Sequence, residues 1–148
     1  MEVTLDMERG DTEELLTARE SWQGRLDSAQ AGFSGLSPGA RIGLITHKTM
    51  AANNGQMLVW EVRDGGMQAE VMRFNGFGGA GTDLLFIADE EVISPLLEGE
   101  QGLLTEMKQG LRAGHILFYA LKSQGQLLDL GYEELLDTVG LPFQGACR

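Results

Sequence analysis

Phe74-Asn75-Gly76-Phe77-Gly78-Gly79-Ala80-Gly81-Thr82-Asp83 is the stretch whose reading decides the fold. It joins two apolar runs and sets whether they fold back side by side or cross over to lie parallel. Gly76, Gly78 and Gly81 fit the spacing G-x-G-x-x-G, which in a dinucleotide-binding fold lets backbone N–H groups approach a pyrophosphate at a helix N-terminus. That use needs a buried parallel strand before the glycines and a helix after them. Upstream, Gln68 to Phe74 mixes polar and apolar residues, as a strand with one wetter face does. Downstream, Leu84-Leu85-Phe86-Ile87-Ala88 is a continuous apolar run that reads as a buried strand. No Gly-Lys-Ser/Thr follows the glycines, which excludes a P-loop. The expectation is a long hairpin loop, with a phosphate cradle as the alternative.

The preceding stretch gives two more turns. Asn54-Gly55 is a type I′ hairpin signal, since both central residues of that turn need positive φ. It joins a strand over Arg41 to His47, extending toward Thr49, to a second over Gln56 to Arg63, in which Leu58, Trp60 and Val62 share one face. Asp64-Gly65-Gly66 turns again into Met67 to Phe74. With the glycine loop as a third turn into Leu84 to Ala88, the expected core is a four-stranded antiparallel meander.

Around this meander the chain reads as helices and short strands. Val3, Leu5 and Met7 alternate with polar residues, which permits an edge strand. Asp11 with Glu14 opens a helix whose apolar stripe runs through Leu15, Ala18, Trp22, Leu26, Ala29 and Phe33. Gly35-Leu36-Ser37-Pro38-Gly39 matches the nucleophile elbow in form only. A helix precedes it, and Pro38 has no N–H to give an oxyanion. Beyond Ala88, Asp89-Glu90-Glu91 is read as a helix entrance, with Ser94-Pro95 as cap and first residue. A firmer helix carries Leu103, Leu104, Met107 and Leu111 and closes at Gly114. His115 to Leu121 is a fifth strand, Ser123-Gln124-Gly125 turns into a sixth over Leu127 to Leu130, and Tyr132 to Val139 is a last short helix stopped by Gly140 and Pro142. The fold class is α+β, with an antiparallel sheet of about five to six strands packed by an N-terminal, a middle and a short C-terminal helix, all in a single domain over residues 1–148.

Composition narrows the function. The 148 residues hold 11 Lys and Arg against 22 Asp and Glu, a formal charge of −11. Such a surface repels phosphate backbones and anionic lipid, so neither nucleic acid nor membrane is an expected partner, whereas a basic protein is. Cys147 is alone and forms no internal bridge, and the acidic start lacks the character of a secretory signal. A cytoplasmic location follows as the expectation.

Chemistry is sparse in the sequence. His47 and His115 are the two histidines, and neither has a second ligand at helical metal-site spacing. They could meet only if their strands were neighbours. Asp83 and Asp89 flank the fourth strand, roughly 20 Å apart in extended chain and too far for paired-carboxylate hydrolysis. No cofactor, metal or catalytic residue is therefore expected.

By element order alone the chain resembles the small acidic chaperones of bacterial type III secretion and, more loosely, profilin-type sheets. The first resemblance implies a homodimer that holds segments of a partner protein. The expected function is an acidic, non-enzymatic interaction module, chaperone- or adaptor-like, with Trp22, Trp60 or Phe77 offering apolar surface. The alternative is a small-molecule or nucleotide-binding protein, an enzyme in one form, using the loop residues Asn75, Phe77, Gly79 and Thr82 with Asp83. Phe77 at the loop tip is expected to fold back onto the sheet.

Overall fold

The computed structural model describes residues 14–64 and 66–141. The expected strand at Val3 to Met7, the helix start at Asp11, the stop at Pro142 and the tail thiol Cys147 lie outside them. The elements are α1 (Arg19–Ser28), β1 (Arg41–Thr46), α2 (His47–Ala52), β2 (Gly55–Arg63), β3 (Gly66–Phe74), β4 (Leu84–Ala88), α3 (Ile93–Glu98), α4 (Leu103–Ala113), β5 (Ile116–Ala120), α5 (Gln124–Leu130) and α6 (Tyr132–Thr138). Short 3₁₀ turns occupy Gln30–Phe33, Phe77–Gly79 and Glu90–Val92. The strands form one five-stranded sheet in the order β3-β2-β1-β4-β5, so the class is α+β with a mixed sheet.

The first three strands are antiparallel neighbours, as expected. β2 pairs β3 from Gly55↔Phe74 to Arg63↔Gly66, and β1 pairs β2 from Arg41↔Glu61 to Leu44↔Leu58. The link between β1 and β2 is different from the expected two-residue turn. The strand stops at Thr46, whose hydroxyl accepts from the Thr49 N–H and caps α2. Asn53, at φ 58, is the left-handed C-cap of that helix. Asn54-Gly55 therefore marks a helix exit, and the strand expected over His47 to Thr49 is helical.

The expected third hairpin is absent. β4 pairs parallel with β1, from Ile42↔Leu84 to Thr46↔Ala88, and is not paired with β3. From the sheet's edge at β3 the chain passes β2 and β1 before pairing again. Phe74 pairs at the Gly55 end of β2, whereas Leu84 lies level with Ile42, so residues 75–83 cross a sheet face from one end to the other. The drop is about five strand rows, roughly 17 Å, and nine extended residues reach roughly 30 Å. A parallel link ordinarily uses a dozen or more residues and a helix. Here the glycine loop lies on the face directly, with Ala80 buried among Ile45, Met57, Val59, Phe74, Leu85 and Ile87. Gly43 makes room beneath it: an added Cβ would stand 2.9 Å from Leu85, 3.0 Å from Met57 and 3.4 Å from Thr82.

Helices cover the opposite face. Trp22, Leu26 and Phe33 of the expected stripe are buried against Ile42, Leu44, Leu58, Trp60, Leu84 and Phe86, although the helix breaks at Ala18 and again at Ala29. α4 buries Leu103 and Met107 and ends at Gly114, φ 83, as its spacing indicates. α6 likewise turns Leu135 and Leu136 inward. Two local expectations fail. α3 begins after Val92, placing Ser94 and Pro95 inside its first turn. Leu127 to Leu130, expected as a sixth strand, belongs to α5, because Ser123 and Gln126 form a reciprocal capping box that starts a helix. The element order behind the chaperone resemblance is thus not the observed one.

Candidate functional site

The two edges of the sheet are finished differently. Along the outer edge of β3, side chains of the N-terminal helical segment replace a neighbouring strand. Gln23 accepts from the Ala69 N–H at 2.8 Å and donates to the Met67 carbonyl at 2.9 Å. Gln30 accepts from the Met67 N–H at 3.1 Å, and Arg19 donates to the Ala69 carbonyl at 3.1 Å. The outward groups of Met67 and Ala69, which could template another strand, are thereby occupied.

On β5, no strand pairs with the outer edge among the described residues. The Leu121 N–H donates to the Asp83 carbonyl and the His115 carbonyl accepts from the Asp89 N–H, so odd-numbered residues face β4. By alternation the backbone groups of Ile116, Phe118 and Ala120 point outward. Beside them, on the face the glycine loop crosses, lie Leu117 and Tyr119, 38% and 41% exposed, and Phe77, 41% exposed. The Phe77 ring sits 5.3 Å from Tyr119 and 6.1 Å edge-on from Phe74, so it does fold back onto the sheet and still shows a face to solvent.

The other sequence candidates separate. Trp22 and Trp60, expected as surface anchors, are 0% and 1% exposed with their rings 6.1 Å apart, and belong to the core. Such large aromatic residues bury more apolar area than any other side chain, which draws them inward. Asn75 and Gly79 are exposed, whereas Thr82 and Asp83 are buried. No helix follows Gly81; the chain continues into β4, so the aligned N–H groups of a phosphate cradle are missing from the loop. Asp83 is a structural tie instead. Its carboxylate accepts from the Arg41 N–H at 2.9 Å and from the Tyr132 hydroxyl at 2.8 Å. That hydroxyl also lies 3.1 Å from the Arg41 carbonyl. Burial first, then the adjacent carboxylate, holds the Tyr132 phenol well above its ordinary pKa, and it stays neutral.

A polar group that sequence spacing could not assemble stands at the other end of β4. Thr46, Ala88 and Ile116 pair across β1, β4 and β5. The residues just past that row are His47, Asp89 and His115. His47 Nε2 is 3.2 Å from one Asp89 oxygen, and His115 Nδ1 is 2.9 Å from the other. Glu91 approaches His115 Nδ1 to 3.7 Å. Asp89 precedes the 3₁₀ turn Glu90–Val92, yet its side chain caps nothing there and turns to the histidines. Strand order is the information that sequence reading lacked.

Comparison with known proteins adds little. No protein-family model matches the chain, and no curated protein does. Among solved structures, a conserved hypothetical protein from Thermus thermophilus, described as a candidate sterol carrier protein, aligns with a TM-score of 0.40 and 15% identity over 86% of this chain and 82% of that one. A likeness of that size carries no inference about fold detail or ligand. Among the described residues, no helix is long and apolar enough to cross a membrane.

Proposed function

We propose that the protein is an acidic, non-enzymatic interaction module of the cytoplasm, chaperone- or adaptor-like, that works as a homodimer joined through β5. The contrast between a β3 edge covered at Met67 and Ala69 and a β5 edge that no strand among the described residues pairs supports this reading. A strand left unpaired beside exposed apolar side chains is a template for a further strand, and β-addition gives main-chain hydrogen bonds with side-chain pockets alternating along them. Two copies of β5 laid antiparallel about Phe118 make a continuous sheet. Leu117 of one copy then meets Tyr119 of the other, and the two Phe77 rings flank the strip. Apolar cross-strand pairs of this kind contribute about 0.2–1 kcal/mol each. The strip, on a chain of net charge −11, suits a partner segment with basic and apolar residues.

Sedimentation across a concentration series tests the proposal. The expected species has twice the 16.1 kDa of the chain. Ala120→Pro removes an outward N–H without breaking a bond to β4, and is expected to give a folded monomer. A strict monomer in the unaltered protein, or a dimer indifferent to Ala120→Pro and Phe77→Ala, would overturn it.

A further inference from the structure

We propose that Asp89, Glu91 and His115 form a binding site for a divalent transition-metal ion of the Zn²⁺ or Co²⁺ type, with His47 orienting Asp89 through its other carboxylate oxygen. This site is separate in chemistry from the β5 edge and does not depend on the homodimer.

Three lines of geometry converge on it. The first is mutual distance. Ligand atoms of Asp89, Glu91 and His115 all lie within 4.8 Å of one another. From His115 Nδ1 the separations are 2.9 Å to Asp89 and 3.7 Å to Glu91, while His47 Nε2 stands outside that group, 3.2 Å from the other Asp89 oxygen. A tetrahedral Zn²⁺ with bonds of about 2.0–2.1 Å holds its donors roughly 3.3 Å apart, so the observed spread brackets the spacing the ion imposes.

The second is anchoring. Asp89 follows β4 and His115 precedes β5, so two ligands stand on adjacent strands of one sheet, and His47, opening α2 directly after β1, reaches Asp89 from the next strand. The Asp89 N–H donates to the His115 carbonyl at 2.8 Å, fixing those two backbones to each other. Ligands on rigid elements lose little conformational freedom on binding.

The third is donor chemistry. An imidazole with two carboxylates suits Zn²⁺, Co²⁺ or Ni²⁺, whereas Mg²⁺ and Ca²⁺ prefer oxygen alone. Both histidines of the chain come together on one carboxylate, a coincidence that simple surface solvation does not require. Side-chain exposures of 38% for His47, 34% for Asp89 and 45% for His115 leave an entry path from solvent.

The test is a Co²⁺ titration of chelator-treated protein, read by the visible d–d bands of a tetrahedral ion, with Zn²⁺ competition by calorimetry. The unaltered protein is expected to take up one equivalent, and Cys147→Ser is expected to leave that uptake intact. His115→Gln and His47→Gln are each expected to weaken binding by about tenfold or more, the scale on which even outer partners of a metal matter. Circular dichroism in chelator confirms that each variant is folded; should His115→Gln lose structure, His47→Gln decides alone. No saturable uptake of either ion, uptake abolished by Cys147→Ser, or an affinity left unchanged by either histidine variant would overturn the site.

Discussion

Tyr132→Phe isolates the tie at the start of β4. The ring is fully buried, so the substitution keeps its volume and removes only the hydroxyl. The Asp83 carboxylate then loses the 2.8 Å donor and keeps the Arg41 N–H at 2.9 Å. Hydrogen bonds to charged groups contribute about 1.5–3 kcal/mol, so a loss near 2 kcal/mol at pH 8 is expected, or roughly 4–8 °C in Tm for a domain of this size. The pH dependence gives a sharper signature. The folded-state pKa of this phenol is raised above 10, so its contribution to stability is complete below pH 10 and falls as pH climbs toward the folded value. Above pH 10 the unfolded chain gains by ionising Tyr132 while the folded chain does not, at about 1.4 kcal/mol per pH unit. Phenylalanine has nothing to ionise, and Tyr119 is common to both proteins. Urea denaturation at pH 8 and pH 11 should therefore show the gap between the two shrinking by about 1.4 kcal/mol. Equal stabilities at pH 8, or a gap that stays constant or widens at pH 11, would refute the assignment of Tyr132 as a buried neutral donor.

Further perturbations address the core, the edges and one tight corner. Gln23→Ala removes two of the bonds that finish the β3 edge, and should cost about 1–2 kcal/mol while adding concentration-dependent association in an Ala120→Pro background, read by denaturation and sedimentation. Gly131 joins α5 to α6 at φ 87, and an added Cβ would run into the Gly35 carbonyl. Gly131→Ala should accordingly destabilise by at least about 3 kcal/mol in chemical denaturation. Trp60→Ala should cost about 3–5 kcal/mol by cavity formation, whereas Phe77→Ala should cost less than about 1 kcal/mol and act on self-association instead. Differential scanning calorimetry alongside light scattering separates the two.

Much of the local structure was legible in the residues. The inward turn of Trp22, Leu26 and Phe33, the α4 spacing ending at Gly114, the β2–β3 hairpin and the helix at Tyr132 all follow from periodicity and end signals acting within a few residues, whereas the breaks at Ala18 and Ala29 do not. The misreadings at α2 and α5 were local as well. Thr46 with Thr49 caps the first, and Ser123 with Gln126 boxes the second, and both outweigh the turn residues nearby. The site was much less legible. The tryptophans belong to the core, and the pairing of His47 with His115 depends on which strands are neighbours.

By itself, then, the sequence determined an acidic α+β chain and the helices at Trp22, Met107 and Tyr132, and left the glycine loop between a hairpin and a phosphate cradle. Tertiary structure decided that β4 lies parallel to β1, that Gln23 and Gln30 bond the β3 edge while no strand among the described residues pairs the β5 edge, and that two distant histidines share Asp89. The physical reason is one of range. Periodicity and caps act over one or two turns of chain, whereas an apolar strand such as Leu84 to Ala88 fits equally well beside β3 or β1, and only the packing of both sheet faces selects between them.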